Sequence, residues 1–210
     1  MINFLIALVM LTNFLLVGTD RISKTISVVA LQGVALGALM LAVHHQFHMY
    51  VVLLAIATMA FKGLVIPAML NRALNAVKIR REVEPYVGFV ASLLLCSLGT
   101  GLALLMASTL PVAQDAPSTL IVPAGLATLF TGLLLLVTRR KAITQVVGYL
   151  VLENGIFVFG LLLVEEMPLL VEAGVLLDLM VCVFVMAIVI NHIQREFDSI
   201  DTDKLAELKD

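Results

Sequence analysis

The sequence predicts an all-α membrane protein, a polytopic bundle of about seven transmembrane helices. Its 210 residues are 61% hydrophobic and 13% charged, with a mean hydropathy of +1.11, whereas soluble domains carry about 25% charged residues. Apolar windows of about 20 residues, long enough to cross a ~30 Å hydrocarbon layer, recur along the chain. Helix is expected because backbone exposed to lipid must satisfy its own hydrogen bonds, and the alternating pattern of a membrane barrel is absent.

Seven segments qualify as spans, and prolines lie between several of them. The first segment lacks a basic leading region and a small-residue cleavage site, so it is interpreted as a mature span rather than a signal peptide. The composition excludes a soluble enzyme, a nucleic-acid-binding protein and a disordered tail. The spans run roughly 2–18, 25–43, 50–70, 87–110, 119–138, 142–164 and 169–193, and the prolines are Pro85, Pro111, Pro117 and Pro168.

The charge of the loops predicts an orientation. The connections after spans one, three and five, together with the tail, hold every cation except Lys62, while the connections after spans two, four and six hold none. Because cytoplasmic loops carry the excess of Lys and Arg, we expect the N-terminus outside and the C-terminus in the cytoplasm. The cations assigned to this side are Arg21, Lys24, Arg72, Lys78, Arg80, Arg81, Arg139, Arg140, Lys141, Arg195, Lys204 and Lys209.

The predicted domain organisation is a single transmembrane domain over residues 1–193. Four helices are expected in 1–118 and a three-helix module in 119–193. Residues 194–210 are expected to form a cytoplasmic tail, in which acids outnumber bases, so the tail is not a polybasic lipid-binding segment.

Three ionisable side chains lie deep inside the predicted spans: Lys62 in span three, Glu153 in span six and Asp178 in span seven. A charge near the bilayer centre costs about 2.5–3.5 kcal/mol on insertion scales, so it calls for an explanation. At 1.5 Å per residue, both carboxyls lie about 16 Å from the cytoplasmic edge and Lys62 lies about 12 Å from it. One cation and two carboxyls in a single layer, with Asn154 beside Glu153, are the groups that an intramembrane proton relay needs.

Other interpretations of these residues stay open. Lys62 and one acid would equally make a structural ion pair between helices, and Asp178 would face a lipid-filled groove in its protonated form. The histidines at the outer surface have a spacing that suits a metal, although we expect an exposed boundary cluster without one. The cysteines lie inside apolar runs and are expected to be buried thiols. These residues are His44, His45, His48, Cys96 and Cys182.

One stretch carries a family resemblance. Residues 139–155, RRKAITQVVGYLVLENG, combine a basic cytoplasmic loop, a glycine and a membrane-embedded glutamate. This pattern is similar to the K-type small subunit of respiratory complex I and of multisubunit cation/proton antiporters. With the four preceding spans and the tail segment 194–203, the whole chain resembles the hydrogenase-4 component E family, membrane subunits of group 4 nickel–iron hydrogenase and formate hydrogenlyase-like complexes.

The resemblance implies a non-catalytic, proton-conducting subunit of a complex I-related assembly in the inner (plasma) membrane. The implied partners are antiporter-like membrane subunits and the hydrogenase-type subunits of the same complex, whose cytosolic arm does the redox chemistry. Glu153 would correspond to the first of two membrane glutamates of the K-type subunit, with Asp178 as the substitute for the second. Glu153 lies five residues after Gly148, where the K-type acid lies two after its glycine, and this displacement keeps roughly the same helix face.

Other functional classes are weighed against this one. A stand-alone cation/proton transporter usually shows inverted repeats and broken helices, and no convincing inverted repeat is present. A retinal receptor is disfavoured because the intramembrane lysine lies in span three, whereas a purely structural subunit remains open. No cofactor is expected, because the chain lacks thiolates in number for an iron–sulfur cluster and paired haem ligands.

Overall fold

The computed structural model describes residues 1–43, 49–76, 83, 86–107, 109 and 118–163, and within these ranges the chain forms helices and no strands. The helical segments follow one another as an all-α bundle, and one of them is a short π-helical segment. They are α1 (Ile2–Gly18), α2 (Ile22–Val43), α3 (Met49–Ala60), the π-helical segment (Phe61–Val65), α4 (Ile66–Ala76), α5 (Phe89–Ala107), α6 (Ile121–Thr138) and α7 (Ala142–Leu163).

The helices of the described part have the length and composition of membrane spans. Five of them are long and apolar enough to cross a bilayer, and α1 is a shorter apolar helix. Six of the predicted spans therefore coincide with helices. The seventh predicted span, 169–193, lies outside the described residues, together with Asp178 and the tail.

The third span is longer than the predicted 50–70, because helical structure continues through α4 to Ala76. The last turns of α4 are amphipathic: Leu70, Ala73 and Leu74 are buried, while Arg72 is exposed. A span predicted from a window of apolar residues ends before such an amphipathic turn. The turn still belongs to the helix, because its apolar residues form a buried stripe while its other residues are polar.

The π-helical segment lies immediately before Pro67. Its wider turn is closed by the backbone N–H of Ile66, which donates to the carbonyl of Phe61 five residues earlier. A proline inside a helix has no N–H to donate and its ring crowds the carbonyl four residues before it. A wide turn at this point accommodates that crowding and keeps α3, the π-helical segment and α4 in one continuous helix.

Glycines set the closest helix contacts. A Cβ added at Gly33 of α2 would lie 2.6 Å from the Cβ of Lys62, and one added at Gly37 would meet the side chain of Met59. Between α6 and α7, a Cβ at Gly132 would collide with the backbone nitrogen of Leu152. Gly33 and Gly37 therefore permit a close contact between α2 and the third span, because neither has a side chain.

Two apolar clusters fill the two ends of the bundle, and a polar layer separates them. On α1, for example, Val9 belongs to one cluster and Leu16 to the other, whereas Thr12 and Asn13 between them are buried polar residues. The same order recurs on α2, α6 and α7. The other buried polar members of this layer are Gln32, Lys62, Thr128, Glu153 and Asn154.

Candidate functional site

The centre of the polar layer is an ion pair between the third span and α7. The Nζ atom of Lys62 lies 2.9 Å from Oε1 of Glu153. Lys62 is 6% exposed and Glu153 is 2% exposed, so both charged side chains are buried within the bundle. The pair joins two segments that are 91 residues apart in the chain.

Local structure explains how the ammonium reaches this position. Lys62 is the second residue of the π-helical segment, and π-helical turns inside α-helices are frequent at functional sites. Gly33 allows the backbone of Lys62 to lie directly against α2. The ring of Phe157, one turn beyond Glu153 on α7, has its centroid 5.5 Å from Nζ, within the range of a cation–π contact.

A second acceptor for Lys62 comes from the residue after Glu153. The ammonium donates to Oδ1 of Asn154 over 3.2 Å, and Nδ2 of Asn154 donates to Oε1 of Gln32 over 2.9 Å. The three residues Lys62, Glu153 and Asn154 of the predicted relay therefore lie together. Asp178, the fourth, is outside the described residues.

The hydrogen bonds continue beyond Gln32 into α1 and α6. Nε2 of Gln32 donates to Oδ1 of Asn13 over 2.9 Å, and Nδ2 of Asn13 donates to Oγ1 of Thr128 over 2.9 Å. The Thr128 hydroxyl in turn donates to the carbonyl of Ala124 over 2.7 Å. The network thus links all the spans of the described part except α5.

Gln32, Asn13 and Thr128 were not among the residues that the sequence singled out. A signal was present, because each is an uncharged polar side chain in the middle of an apolar run. Such residues hydrogen-bond across membrane helices often enough to mark an inward face. The pattern alone does not say which of them meet, because that depends on the rotation of each helix.

Arg139 is a loop cation that the structure buries within the bundle. It follows the last residue of α6 and is 1% exposed, and its Nη2 donates to the carbonyl of Val17 over 2.7 Å. That carbonyl belongs to the last turn of α1, where unsatisfied carbonyls and the negative end of the helix dipole favour a cation. The guanidinium also lies over the ring of Phe89, 5.5 Å from its centroid. Burial lowers the pKa of Arg139 from its ordinary value.

The side chains present at this site limit the chemistry that it could support. Among the described residues there is no group of three His, Cys, Asp or Glu side chains that would hold a metal ion. Cys96 is a buried free thiol, as predicted. The histidines at 44, 45 and 48 lie outside the described residues. The described part of the site therefore contains the carboxyl of Glu153, the amine of Lys62 and a set of neutral hydrogen-bonding groups.

Comparison with known proteins finds a relative that matches the entire chain. The chain is 34% identical, over an alignment of 215 residues, to the uncharacterized protein Rv0085 of Mycobacterium tuberculosis (strain ATCC 25618 / H37Rv). The alignment covers 100% of this chain and 96% of that protein. No family model matches the chain, and no solved structure matches it significantly.

A shorter match connects the chain to a hydrogenase component. Over 78 residues it is 36% identical to hydrogenase-4 component E of Escherichia coli (strain K12), which is 37% of this chain and 36% of that protein. Hydrogenase-4 component E of Shigella flexneri matches to the same extent. The chain thus aligns with about a third of the length of these relatives.

Proposed function

We propose that this chain, which belongs to the same family as the uncharacterized protein Rv0085 of Mycobacterium tuberculosis, is a non-catalytic membrane subunit that helps to move protons within a hydrogenase-4-like, complex I-related assembly. The partial match to hydrogenase-4 component E supports the kind of assembly. The apolar helices support a location in the membrane, for which we propose the inner (plasma) membrane.

The observation that carries the proton-moving role is the Lys62–Glu153 pair, 2.9 Å apart and buried. At an effective dielectric constant of about 20, two unit charges at this distance attract by about 6 kcal/mol. Desolvation costs several kcal/mol for each of the two ions, so the net contribution to stability is close to zero. Because the pair adds little net stability, its presence supports a function that needs both charges.

The proposed chemistry is reversible protonation of Glu153. A proton that arrives at the carboxylate forms an O–H bond and removes the negative charge, so the attraction to Lys62 falls to that of a hydrogen bond. The ammonium keeps its bond to Oδ1 of Asn154 during this step. When the proton leaves, the carboxylate is restored and the ion pair forms again, which returns the site to its starting state.

Other parts of the chain take roles in this proposal. Asp178, in the predicted span 169–193, is proposed as the next proton carrier. Residues 119–193 are proposed as the K-type-like module within the domain 1–193, with the N-terminus outside and the tail 194–210 in the cytoplasm. The proposed partners are antiporter-like membrane subunits and hydrogenase-type subunits.

Purification of the native complex tests the assembly. The full-length chain, tagged at its C-terminus and expressed from its own locus, would be extracted in a mild detergent and its co-purifying proteins identified by mass spectrometry. We expect antiporter-like and hydrogenase-type subunits in fixed ratio. Isolation of the chain by itself, with cation transport after reconstitution into liposomes, would support a stand-alone transporter instead.

A further inference from the structure

The amide side chains of the polar layer share one donor-to-acceptor direction. Each amide turns its oxygen toward the donor on its Lys62 side and its nitrogen toward the acceptor on its other side. Lys62 has three N–H donors and no acceptor, so Asn154 must turn its oxygen toward Lys62. Its nitrogen is then left to donate to Gln32, and this requires the oxygen of Gln32 on that side. Lys62 therefore dictates the orientation of two amides in turn.

The same donor-to-acceptor order continues along the rest of this hydrogen-bond series. The series runs from Lys62 through Asn154, Gln32 and Asn13 to Thr128. Because Oε1 of Gln32 accepts from Asn154, Nε2 of Gln32 is on the other side and donates to Oδ1 of Asn13. Nδ2 of Asn13 then donates to Oγ1 of Thr128. The Thr128 hydroxyl completes the series by donating to a backbone carbonyl in α6. Reversal of the Asn154 or the Gln32 amide would place donor against donor on one side and acceptor against acceptor on the other.

Gln32 is the residue that fixes the series most firmly. Its Nε2 also donates to Oγ1 of Thr12 over 3.0 Å, so both of its N–H groups are used. The Thr12 hydroxyl is itself held by the carbonyl of Val9 over 2.6 Å. Gln32 has 0% exposure, so bulk solvent does not reach its amide. Rotation of its amide would thus break its bonds to Asn154, Asn13 and Thr12 together.

Neutral amides do not take up or release protons under ordinary conditions, so this series is not a proton path. We propose instead that Asn154, Gln32, Asn13 and Thr128 are positioning residues that hold the Lys62 ammonium in place while Glu153 is protonated. The inference rests on the proposed function, because it needs Glu153 to exchange a proton. Without a fixed Asn154, the ammonium would lose its second acceptor at the moment when the carboxylate charge disappears.

Substitutions along the series test this role. Gln32→Met keeps the length of the side chain but removes both donors and the acceptor, and Thr128→Val removes the final acceptor with little change of shape. Asn13→Asp is the conservative variant, because a neutral carboxylic acid has one acceptor and one donor, as this position requires. Thr131→Val is the matched control, since Thr131 is also fully buried on α6 and donates to the backbone of its own helix but lies outside the series.

Two measurements are made on each variant. The first is the infrared carbonyl band of protonated Glu153 in the full-length chain in lipid vesicles, identified by its loss in Glu153→Gln. The second is the rate of proton translocation by the purified native complex. We expect Gln32→Met to shift the band and to slow translocation by about tenfold, because Asn154 is then no longer held and the ammonium loses its hydrogen bond to Oδ1 of Asn154. Thr128→Val, farther from Lys62, should shift the band less, and Asn13→Asp and Thr131→Val should leave it in place.

The outcomes separate the two proposals. If Gln32→Met and Thr128→Val give the same band and rate as Thr131→Val, the positioning role is wrong, whatever Glu153 does. If Glu153→Gln translocates protons normally, the proposed function fails, and with it the need for positioning. If Gln32→Met reduces the amount of folded protein, the band and the rate of Thr128→Val test the positioning role by themselves. Thr128→Val is expected to fold, because valine has nearly the same shape as threonine.

Discussion

Lys62 and Glu153 form a buried ion pair, with Nζ and Oε1 2.9 Å apart, inside a layer that has apolar clusters on both sides. The pair is held from three directions. Gly33 admits the lysine backbone, Asn154 gives the ammonium a second acceptor, and the ring of Phe157 lies near it. The helices and these neighbouring groups therefore hold the two charges together.

A double-mutant cycle on this pair should show strong coupling. Lys62→Met and Glu153→Met each leave one buried charge without its partner, so each should lower the free energy of unfolding by about 3–5 kcal/mol. The double variant replaces both charges with apolar groups and should lose much less than the sum of the two. Unfolding in mixed detergent micelles measures all four proteins, and additive losses would show that the charges do not interact energetically.

The contact of α2 with the lysine predicts a difference between two glycines. Gly33→Ala would place its Cβ 2.6 Å from the Cβ of Lys62 and 2.9 Å from its carbonyl carbon. Overpacking of this kind costs about 1–3 kcal/mol, and the shift should also disturb the Lys62–Glu153 distance. Gly101→Ala is the control, because nothing lies within 4 Å of the added atom. Equal thermal midpoints for the two variants would contradict the close packing.

Arg139 and Arg140 are neighbours with opposite surroundings, and their replacement should differ. Arg139→Ala loses the bond to the Val17 carbonyl and the contact with Phe89, so it should lower the free energy of unfolding by about 2 kcal/mol. Arg140 is exposed and lies over the ring of Tyr86, 4.4 Å from its centroid, so Arg140→Ala should cost at most about 1 kcal/mol. A larger loss for Arg140 than for Arg139 would be inconsistent with the buried position.

The proposed orientation is open to labelling in intact cells. In a chain with Cys96 and Cys182 replaced by serine, a single cysteine would be introduced at Lys24 or at Thr119, both of which are exposed. A membrane-impermeant maleimide should label Thr119→Cys from outside and Lys24→Cys after the cytoplasmic face is opened. The reverse pattern would show that the excess of cations lies outside.

One physical reason led from the sequence to the six spans that the structure describes and to Lys62 and Glu153 as candidate site residues. Length and apolarity are needed to cross a bilayer, and a charge such as Lys62 or Glu153 is too costly there to be incidental. Counting residues also placed these two at similar depth, which the ion pair reflects. Uncharged residues such as Gln32 insert at lower cost, so they are a weaker signal in an apolar run than a charge is, and their partners depend on helix rotation.

Arg139 shows a second limit of the sequence. It is followed by Arg140 and Lys141, and a run of cations is typical of a solvated loop. The structure separates them because Arg139 lies against the end of α1, a contact that no local pattern contains. The π-helical segment was also not predicted, since Pro67 is compatible with either a kink or a wide turn.

Proton translocation by the native complex carrying Glu153→Gln tests the central claim most directly. Glutamine keeps the size of the side chain and accepts a hydrogen bond from Lys62, but it does not take up a proton. Asp20→Asn is the control, because Asp20 is an exposed carboxylate outside the polar layer. In vesicles that contain a pH-sensitive dye, Glu153→Gln should lower translocation by at least about tenfold while the complex stays assembled and Asp20→Asn behaves as the unchanged protein does. Equal translocation by the two variants would contradict the account.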